Sequence, residues 1–149
     1  NIIFGRIVYG RPEAAEKVSA MITQVIAGLG LRDTVVEVGL NYGVGVAGSR
    51  LSSGQRQKLA IARNVLKRPD ILFLVEATAA LDSMSQGLIM SNLLDEFSDR
   101  GLVWVLHRAD LARDFDYILV MRSGKIIEQG TFEELNKNGT YFEQLFDRA

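Results

Sequence analysis

The chain has 149 residues, of which 48% are hydrophobic and 23% charged, and 17 Lys and Arg against 18 Asp and Glu give a formal charge of −1. This composition is typical of one globular domain with a buried core, and the near-neutral charge argues against a broad basic surface for nucleic acid or membranes. With no cysteine, the sequence excludes a disulfide framework, a Cys zinc site and a thiol nucleophile, which is consistent with the cytoplasm.

The apolar segments of the chain are too short to cross a membrane. The longest runs, such as residues 71–75 and 102–106, have five residues, whereas a spanning helix needs about 20. Residues 1–5 have neither the basic start nor the apolar core of a secretion signal. Because the first residue is Asn1 rather than Met, we expect the sequence to be a piece of a longer chain.

The first third of the chain is predicted to hold a helix and a glycine-rich loop. Arg11-Pro12-Glu13 begins the helix, since proline suits the first helical position and an acid favours the positive N-terminal end. Gly28 and Gly30 end it, and its apolar face repeats at helical spacing: Val18, Met21, Ile22 and Val25. We expect a short strand or extended loop over residues 34–40. Residues 39–54 form the loop, which contains five of the 14 glycines.

A second helix is predicted to begin at about Ser53 and to stop before Pro69. Ser52 and Gln55 have the spacing of a capping box, in which a hydroxyl and an amide three residues apart cap a helix N-terminus. Apolar residues then repeat with the helical period: Leu59, Ala62, Val65 and Leu66. Residues 71–75 are an uninterrupted apolar run, which is typical of a parallel strand covered on both faces.

A helix and a second strand follow this run. Asp82 or Ser83 is predicted to cap the helix, whose apolar residues are Leu88, Ile89, Leu93, Leu94 and Phe97. Residues 102–106 are predicted to form the second buried strand. Two parallel strands joined by a helix make a right-handed βαβ unit.

The last third of the chain is predicted to contain a hairpin and a short helical region. Residues 117–121 and 125–129 flank a three-residue Arg-Ser-Gly turn, which indicates two antiparallel strands. Residues 131–134 form a second capping box. It opens a helical region that runs to Phe146 with a break at Gly139.

One hypothesis for residues 43–48, Gly-Val-Gly-Val-Ala-Gly, is a dinucleotide-binding loop. The sequence fits G-x-G-x-x-G, with a possible strand before it, a helix after it and an acid, Glu76, at the end of the next strand. The pattern, however, needs its third glycine in the first turn of the helix, and the capping box places that turn several residues later. A loop without this function is therefore favoured over an NAD(P)-binding oxidoreductase of Rossmann type.

Residues 51–55, Leu-Ser-Ser-Gly-Gln, are a second candidate for binding phosphate. A helix N-terminus offers free backbone N–H groups and the positive end of the helix dipole, two hydroxyls add donors, and Gly54 allows close approach. The alternative is an ordinary capped helix, and these five residues by themselves favour that alternative because capping boxes are common.

Glu76 and His107 are candidates for a catalytic pair. Each lies just past the carboxyl end of a predicted parallel strand, where open α/β sheets bind their ligands, so the two side chains should converge on one site. Taken alone, a single histidine is more often a structural hydrogen-bonding group, and a glutamate at a strand end is more often a salt-bridge partner.

Three blocks of the sequence, in order, resemble the nucleotide-binding domain of ABC transporters. They are LSSGQRQKLAIAR at 51–63, RPDILFLVEATAALD at 68–82 and LHR at 106–108. In that family the first is the signature loop and its helix, the second is the Walker B strand with its glutamate and the D-loop, and the third holds the switch histidine. Residues 1–5 resemble the segment after the Q-loop in exporters, and residues 121–130 resemble the closing strands, so the resemblance covers nearly the whole chain.

The resemblance implies the fold class and its division. It implies an α/β fold, a partial P-loop NTPase (ABC ATPase) domain with a parallel βαβ core and a helical signature subdomain. On this basis we expect residues 1–70 to form the helical subdomain and residues 71–149 to form the C-terminal half of the ATPase core.

The resemblance also implies the roles of the site residues in the full-length protein. Glu76 would orient and deprotonate the attacking water, and His107 would hold the γ-phosphate. Asp82 would organise the neighbouring site, and the signature residues would contact the ATP held by the partner: Leu51, Ser52, Ser53, Gly54 and Gln55. No metal ligand is predicted among the residues of the chain.

The cofactors and partners implied are those of a membrane transporter that exports its substrate. ATP and Mg²⁺ would serve the full-length protein, and a second nucleotide-binding domain would pair with this one head to tail, as a homodimer or heterodimer, with ATP between the two. A transmembrane domain is the other partner, no nucleic acid is expected, and the protein would lie at the cytoplasmic face of the inner membrane.

Several family features are missing or altered. No segment matches the Gly-rich phosphate loop that ends in Gly-Lys-Ser/Thr, and the Q-loop glutamine is missing too, so we expect the 149-residue chain alone to be inactive with negligible ATP affinity. Val75 stands where the family has the aspartate that holds magnesium through water, and Ser53 replaces a signature glycine. Val75 favours a degenerate regulatory domain as the alternative to an active ATPase, whereas Glu76, Asp82 and His107 oppose it.

Overall fold

The chain contains both helices and short strands, and residues 71–105 form the strand–helix–strand order that the sequence predicts for an α/β protein. The structure, a computed structural model, describes residues 12–39, 42–137 and 139–146. The helices are α1 (Pro12–Gly28), α2 (Arg32–Val38), α3 (Ser53–Val65), α4 (Ser83–Glu96), α5 (Phe132–Leu135) and α6 (Tyr141–Phe146). The strands are β1 (Ile71–Val75), β2 (Gly101–Val105), β3 (Ile118–Arg122) and β4 (Lys125–Gly130). Arg11 and residues 1–5, on which two predictions rest, lie outside the described residues.

The chain falls into two units. The first comprises Asn1–Phe73 and Ala77–Val103 and contains α1, α2, α3 and α4. The second comprises Leu74–Glu76 and Trp104–Ala149 and contains the β3–β4 pair, α5 and α6. Strands β1 and β2 contribute residues to both units and are neighbours in a two-stranded parallel sheet.

Helix α1 ends at the predicted glycines in a Schellman motif. Gly30 has a φ of +59°, the left-handed conformation that glycine adopts without strain. The N–H of Gly30 donates to the carbonyl of Ala27 at 3.1 Å, and the N–H of Leu31 donates to that of Ile26 at 2.9 Å. Leu31 is buried, so this reversal brings an apolar side chain into the core directly after the helix ends.

The prediction of a strand or extended loop over residues 34–40 is wrong, because α2 is a helix. Its β-branched residues lower the intrinsic helix propensity, which is what the sequence pattern reflected. The helix begins with the bond from Val35 N–H to the carbonyl of Leu31 at 3.0 Å, and one tertiary contact supports it, since the Gln55 amide donates to the Thr34 hydroxyl at 3.3 Å. Gly39, with a φ of +77°, ends the helix.

The core of the first unit is built from the inward faces of its helices together with Leu72. Burying a Val, Leu, Ile, Met or Phe side chain in this core contributes about 1.5–3 kcal/mol. The buried residues are Ile22, Leu29, Leu31, Leu51, Ile61, Ala62, Val65, Leu72, Ile89, Met90, Leu93 and Phe97. Leu88, predicted on the same helical face, is instead 49% exposed.

Strand β1 forms where the apolar run predicts it, but only one of its faces is covered. Side chains alternate between the two faces of a strand, and Leu72 and Leu74 are each 5% exposed. Ile71, Phe73 and Val75 on the other face are 55%, 67% and 67% exposed. The expectation of a strand covered on both faces is therefore wrong for the described residues, which supply packing partners for one face.

The hairpin predicted near the end of the chain is confirmed. Strands β3 and β4 pair antiparallel, with Arg122 opposite Lys125. Ser123 and Gly124 have φ values of +49° and +75°, so both central residues of the turn are left-handed, as in a type I′ turn. That turn matches the twist of the strands and fixes their register.

The second unit has its own small core beside the hairpin. Its buried residues are Ala112, Ile118, Val120, Phe132, Leu135 and Phe142. The predicted capping box is confirmed, since Thr131 and Glu134 each accept a hydrogen bond from the other's backbone N–H at the start of α5. The Glu128 carboxylate then accepts from the N–H groups of Tyr141 and Phe142 at 2.7 and 2.9 Å, which ties α6 to β4.

Among the described residues, no helix combines the length and apolar character that crossing a bilayer requires.

We predict that alanine at two glycines changes stability in opposite directions. Gly30→Ala lowers the free energy of unfolding by about 1 kcal/mol because its left-handed backbone disfavours a Cβ. Gly87→Ala raises it by about 1 kcal/mol because this exposed position inside α4 leaves open space around the added methyl. Denaturant unfolding of the two variants beside the parent measures both effects, and changes of the same sign would contradict the prediction.

Candidate functional site

The side chains of Glu76 and His107 meet at the carboxyl ends of β1 and β2. Glu76 directly follows β1, and His107 lies two residues after β2. The Nε2 of His107 and the Oε1 of Glu76 are 2.8 Å apart, so the two residues converge as the sequence predicts. Both side chains remain open to solvent, at 57% exposure for Glu76 and 72% for His107, so a ligand can reach the pair.

The chemistry of this pair follows from its hydrogen bond. An ionised carboxylate only accepts hydrogen bonds, so Nε2 of His107 must carry the proton when Glu76 is charged. The second ring nitrogen, Nδ1, can then accept or donate according to the protonation state of the ring. The pair thus places the Glu76 carboxylate, which can accept a proton, beside the His107 ring, whose Nδ1 can form a hydrogen bond to a ligand.

Glu76 has a strained backbone. Its φ is +50°, in the left-handed region where a residue with a Cβ is disfavoured by about 1–2 kcal/mol. Such conformations persist where the surrounding structure fixes them, and they concentrate at functional sites. Nearby, Arg108 is held by Asp110, whose carboxylate accepts from Nε at 3.2 Å and from a terminal guanidinium nitrogen at 2.6 Å, and this ion pair raises the pKa of Arg108.

Residues 51–55 form the predicted N-terminus of α3. The Ser52 hydroxyl accepts from Gln55 N–H at 3.1 Å, and the Gln55 side-chain oxygen accepts from Ser52 N–H at 2.9 Å, so the capping box is confirmed. Leu51 is buried and Ser53 is exposed. Because the first helical turn keeps N–H groups without intrahelical partners, the capped helix also retains the features of an anion site.

Residues 80 and 81, in the block that resembles the Walker B strand and D-loop, pack against α3. A Cβ on Gly54 would lie 3.0 Å from the Cδ2 of Leu81 and 3.4 Å from the carbonyl oxygen of Ala80, so only glycine fits there without a shift. The N–H of Ala80 donates to the Oε1 of Gln57 at 3.0 Å. Gln57 was not among the sequence candidates, although its position one turn after Gly54 on the same helix face was a usable signal.

Asp82, one of the two residues predicted to cap α4, is its N-cap. Its Oδ1 accepts from the N–H of Ser85 at 2.9 Å. Hydrogen bonds from Ser85 lower the pKa of Asp82 below its ordinary value, and the nearby charge of Lys58 adds to the effect. The carboxylate is therefore ionised and oriented by the helix it caps.

The geometry of residues 43–48 does not match a dinucleotide-binding loop. The element before it is helix α2 rather than a strand, and Gly48 ends a short 3₁₀ turn (Val46–Gly48) five residues before α3 begins. Gly45 and Gly48 have φ values of +79° and +73°, so these glycines serve the turns of the loop itself. The third glycine is outside the helix whose first turn would have to receive a pyrophosphate.

We predict that Asp82→Asn reduces the acid sensitivity of folding. A carboxylate whose pKa is lowered by folding stabilises the protein above pH 3.8, its ordinary pKa, and this stabilisation is lost as the pH falls through the folded value. Asparagine keeps a capping oxygen that does not titrate. Unfolding measured at about pH 7 and about pH 3 should show a smaller loss in the variant than in the parent, and equal losses would count against this role.

Comparisons with known proteins identify the family to which the chain is similar. The model of the family described as "ABC transporter" matches residues 7–79. An ATP-dependent lipid A-core flippase of Neisseria meningitidis is 39% identical over 147 residues, 97% of this chain and 23% of the flippase. The flippase of Xylella fastidiosa is 42% identical over 142 residues, 93% of this chain and 24% of that protein. The chain thus spans about a quarter of the length of these relatives.

A solved structure of an ABC exporter has the same fold as this chain. A bacterial Atm1-family ABC exporter with ATP bound matches with a TM-score of 0.82 at 30% identity, over 99% of this chain and 25% of the exporter chain. The match extends beyond residues 7–79 and includes the segments that carry His107 and the hairpin.

Proposed function

The chain belongs to the ABC transporter family, as part of an exporter-type ATP-binding domain, and we propose that its full-length protein hydrolyses ATP to drive export. The observation that carries this proposal is the 2.8 Å contact between Glu76 and His107 at the ends of neighbouring strands. The fold is that of a P-loop NTPase with a parallel sheet. Residues 1–70 would serve as its helical subdomain and residues 71–149 as the C-terminal half of the ATPase core.

Glu76 is the proposed general base. Its exposed carboxylate can orient a water molecule and take its proton as the water attacks the γ-phosphate. His107 keeps Glu76 in place through Nε2 and, on release from it, holds the γ-phosphate. The strained backbone of Glu76 supports this role because the structure maintains an unfavourable conformation at this residue.

The signature segment and Asp82 are proposed to serve ATP held by a partner domain. Ser53 is exposed at the start of α3, where free N–H groups and the helix dipole favour phosphate. A site built from two domains requires a second nucleotide-binding domain, placed head to tail. ATP then stabilises the dimer because it binds the dimer more tightly than the separate domains. Hydrolysis of ATP lets the two domains separate.

The remaining partner is a transmembrane domain, with the ATP-binding domain at the cytoplasmic face of the inner membrane. The similarity to a flippase and to an exporter supports this placement. Binding to nucleic acid is not part of the proposal, since the formal charge of −1 provides no broad basic surface.

Val75 supports a second candidate function, a degenerate regulatory domain. Its side chain is 67% exposed and has no oxygen to accept a hydrogen bond from metal-bound water. In the described parts of the chain, no group of three or more His, Cys, Asp or Glu could hold a metal. Val75 therefore cannot make the contact to magnesium-bound water that the family's aspartate makes. The site containing Glu76 would then be weak, while the signature segment completes an active site on a different partner.

Glu76→Gln tests the first candidate in the full-length protein. Glutamine keeps the size and the hydrogen-bonding oxygen but cannot take a proton. We expect steady-state ATP hydrolysis to fall by about 10²- to 10⁴-fold while ATP binding is retained, which is the usual contribution of a general base.

Glu37→Gln is the matched control, because Glu37 is an exposed glutamate on α2, away from the Glu76 and His107 pair in sequence and in role. This control should hydrolyse ATP at the parent rate. A Glu76→Gln variant with unchanged hydrolysis would contradict the first candidate and favour the second.

Val75→Asp tests the second candidate. The exposed end of β1 can accept the charge, and an aspartate there restores the acceptor that the family uses. Since outer partners of a metal site typically change activity by about 10- to 100-fold, we expect a gain of that size in magnesium-dependent hydrolysis. Val105→Asp, at a 45% exposed valine on β2, controls for added charge and should show no gain. An equal rate in Val75→Asp and the parent would remove the support for a degenerate site.

A further inference from the structure

We infer that Gln57 is a positioning residue that ties residues 79–82 to helix α3, so that both segments move as one piece. The inference rests on the proposed function, in which the start of α3 and residues 79–82 contact the ATP site shared with the partner domain. It adds a residue outside the segments 51–55 and 79–82 to the machinery of hydrolysis.

The contact itself joins two distant parts of the chain. The Oε1 of half-buried Gln57 accepts from the N–H of Ala80 at 3.0 Å, across 23 positions of sequence. Ala80 lies between β1 and α4, where its N–H has no place in a strand ladder or a helix. The Gln57 side chain on α3 therefore supplies the hydrogen-bond acceptor that secondary structure does not provide for this N–H.

The ends of the segment are fixed by other groups. On one side, the carbonyl of Thr78 accepts from the Gln86 side chain at 2.7 Å and from Leu81 N–H at 3.0 Å. On the other side, Asp82 caps α4. The hydrogen bond from Ala80 N–H to the Oε1 of Gln57 holds the middle, which these end contacts do not attach to α3.

A second contact makes the attachment specific to the first turns of α3. Gly54 approaches Leu81 and Ala80 so closely that a Cβ would require the Leu81 side chain to shift, and Gln57 follows it by one helical turn on the same face. A polar contact and a close backbone approach thus act on neighbouring points of one segment. Any displacement of the start of α3 by a ligand is transmitted to residues 79–82 through these contacts.

The test uses Gln57→Leu and Gln57→Glu in the full-length protein. Leucine matches glutamine in size and helix propensity but accepts no hydrogen bond, whereas glutamate keeps an acceptor oxygen at the same reach. Two readouts are needed: amide hydrogen exchange at residues 79–82, and the kcat and KM of ATP hydrolysis.

For Gln57→Leu we expect the Ala80 amide to exchange about tenfold faster and kcat to fall by about 3- to 10-fold, the size expected from one hydrogen bond. The KM for ATP should stay within about twofold, because Gln57 orients the segment and does not touch the nucleotide. Gln57→Glu should restore both values. Gln129→Leu, at an exposed glutamine on β4, should change neither.

Unchanged exchange in Gln57→Leu, an equal loss in Gln57→Leu and Gln57→Glu, or a raised KM with constant kcat would each overturn the inference. If Gln57→Leu fails to fold, Gln57→Asn, which is one methylene too short to reach Ala80, takes its place with the same expectations. A parent protein that hydrolyses no ATP would disprove the proposed function instead, and the exchange of Ala80 would then decide the attachment by itself.

Discussion

Two hydrogen bonds to the carbonyl oxygen of Thr78 fix the turn on which the candidate site depends. The N–H of Leu81 and the side chain of Gln86 donate to that oxygen, and the Thr78 side chain is only 4% exposed. The turn spans residues 78–81, and neither of these two hydrogen bonds uses the N–H of Ala80 in its middle. Gln57 can meet it there, so a local turn becomes a tertiary contact.

Features that depend on short stretches of sequence were predictable. The capping box at Ser52, the N-cap at Asp82 and the Ser123-Gly124 turn each arise from side chains or backbone freedom within a few residues. The meeting of Glu76 and His107 also followed from sequence, because the carboxyl ends of neighbouring parallel strands lie together whatever packs around them.

Features that depend on distant residues were missed. Helix α2 forms against the preference of its β-branched residues, and the Gln55 side chain, 21 residues after Thr34, gives it a contact that no local pattern records. The one-sided burial of β1 was missed because an apolar run carries no information on which neighbours are present. The role of Gln57 was missed because its hydrogen-bond partner, Ala80, lies 23 residues away in the sequence.

The close approach at Gly54 has a consequence for how this chain can evolve. Ser53 stands at an exposed position where the family's signature usually has glycine, whereas the glycine at position 54 faces Leu81. Residues in contact have coupled mutational effects, so the cost of replacing Gly54 depends on the size of the side chain at position 81. Packing inside one chain thereby favours one order of substitutions, in which a smaller side chain at position 81 precedes the loss of glycine at position 54.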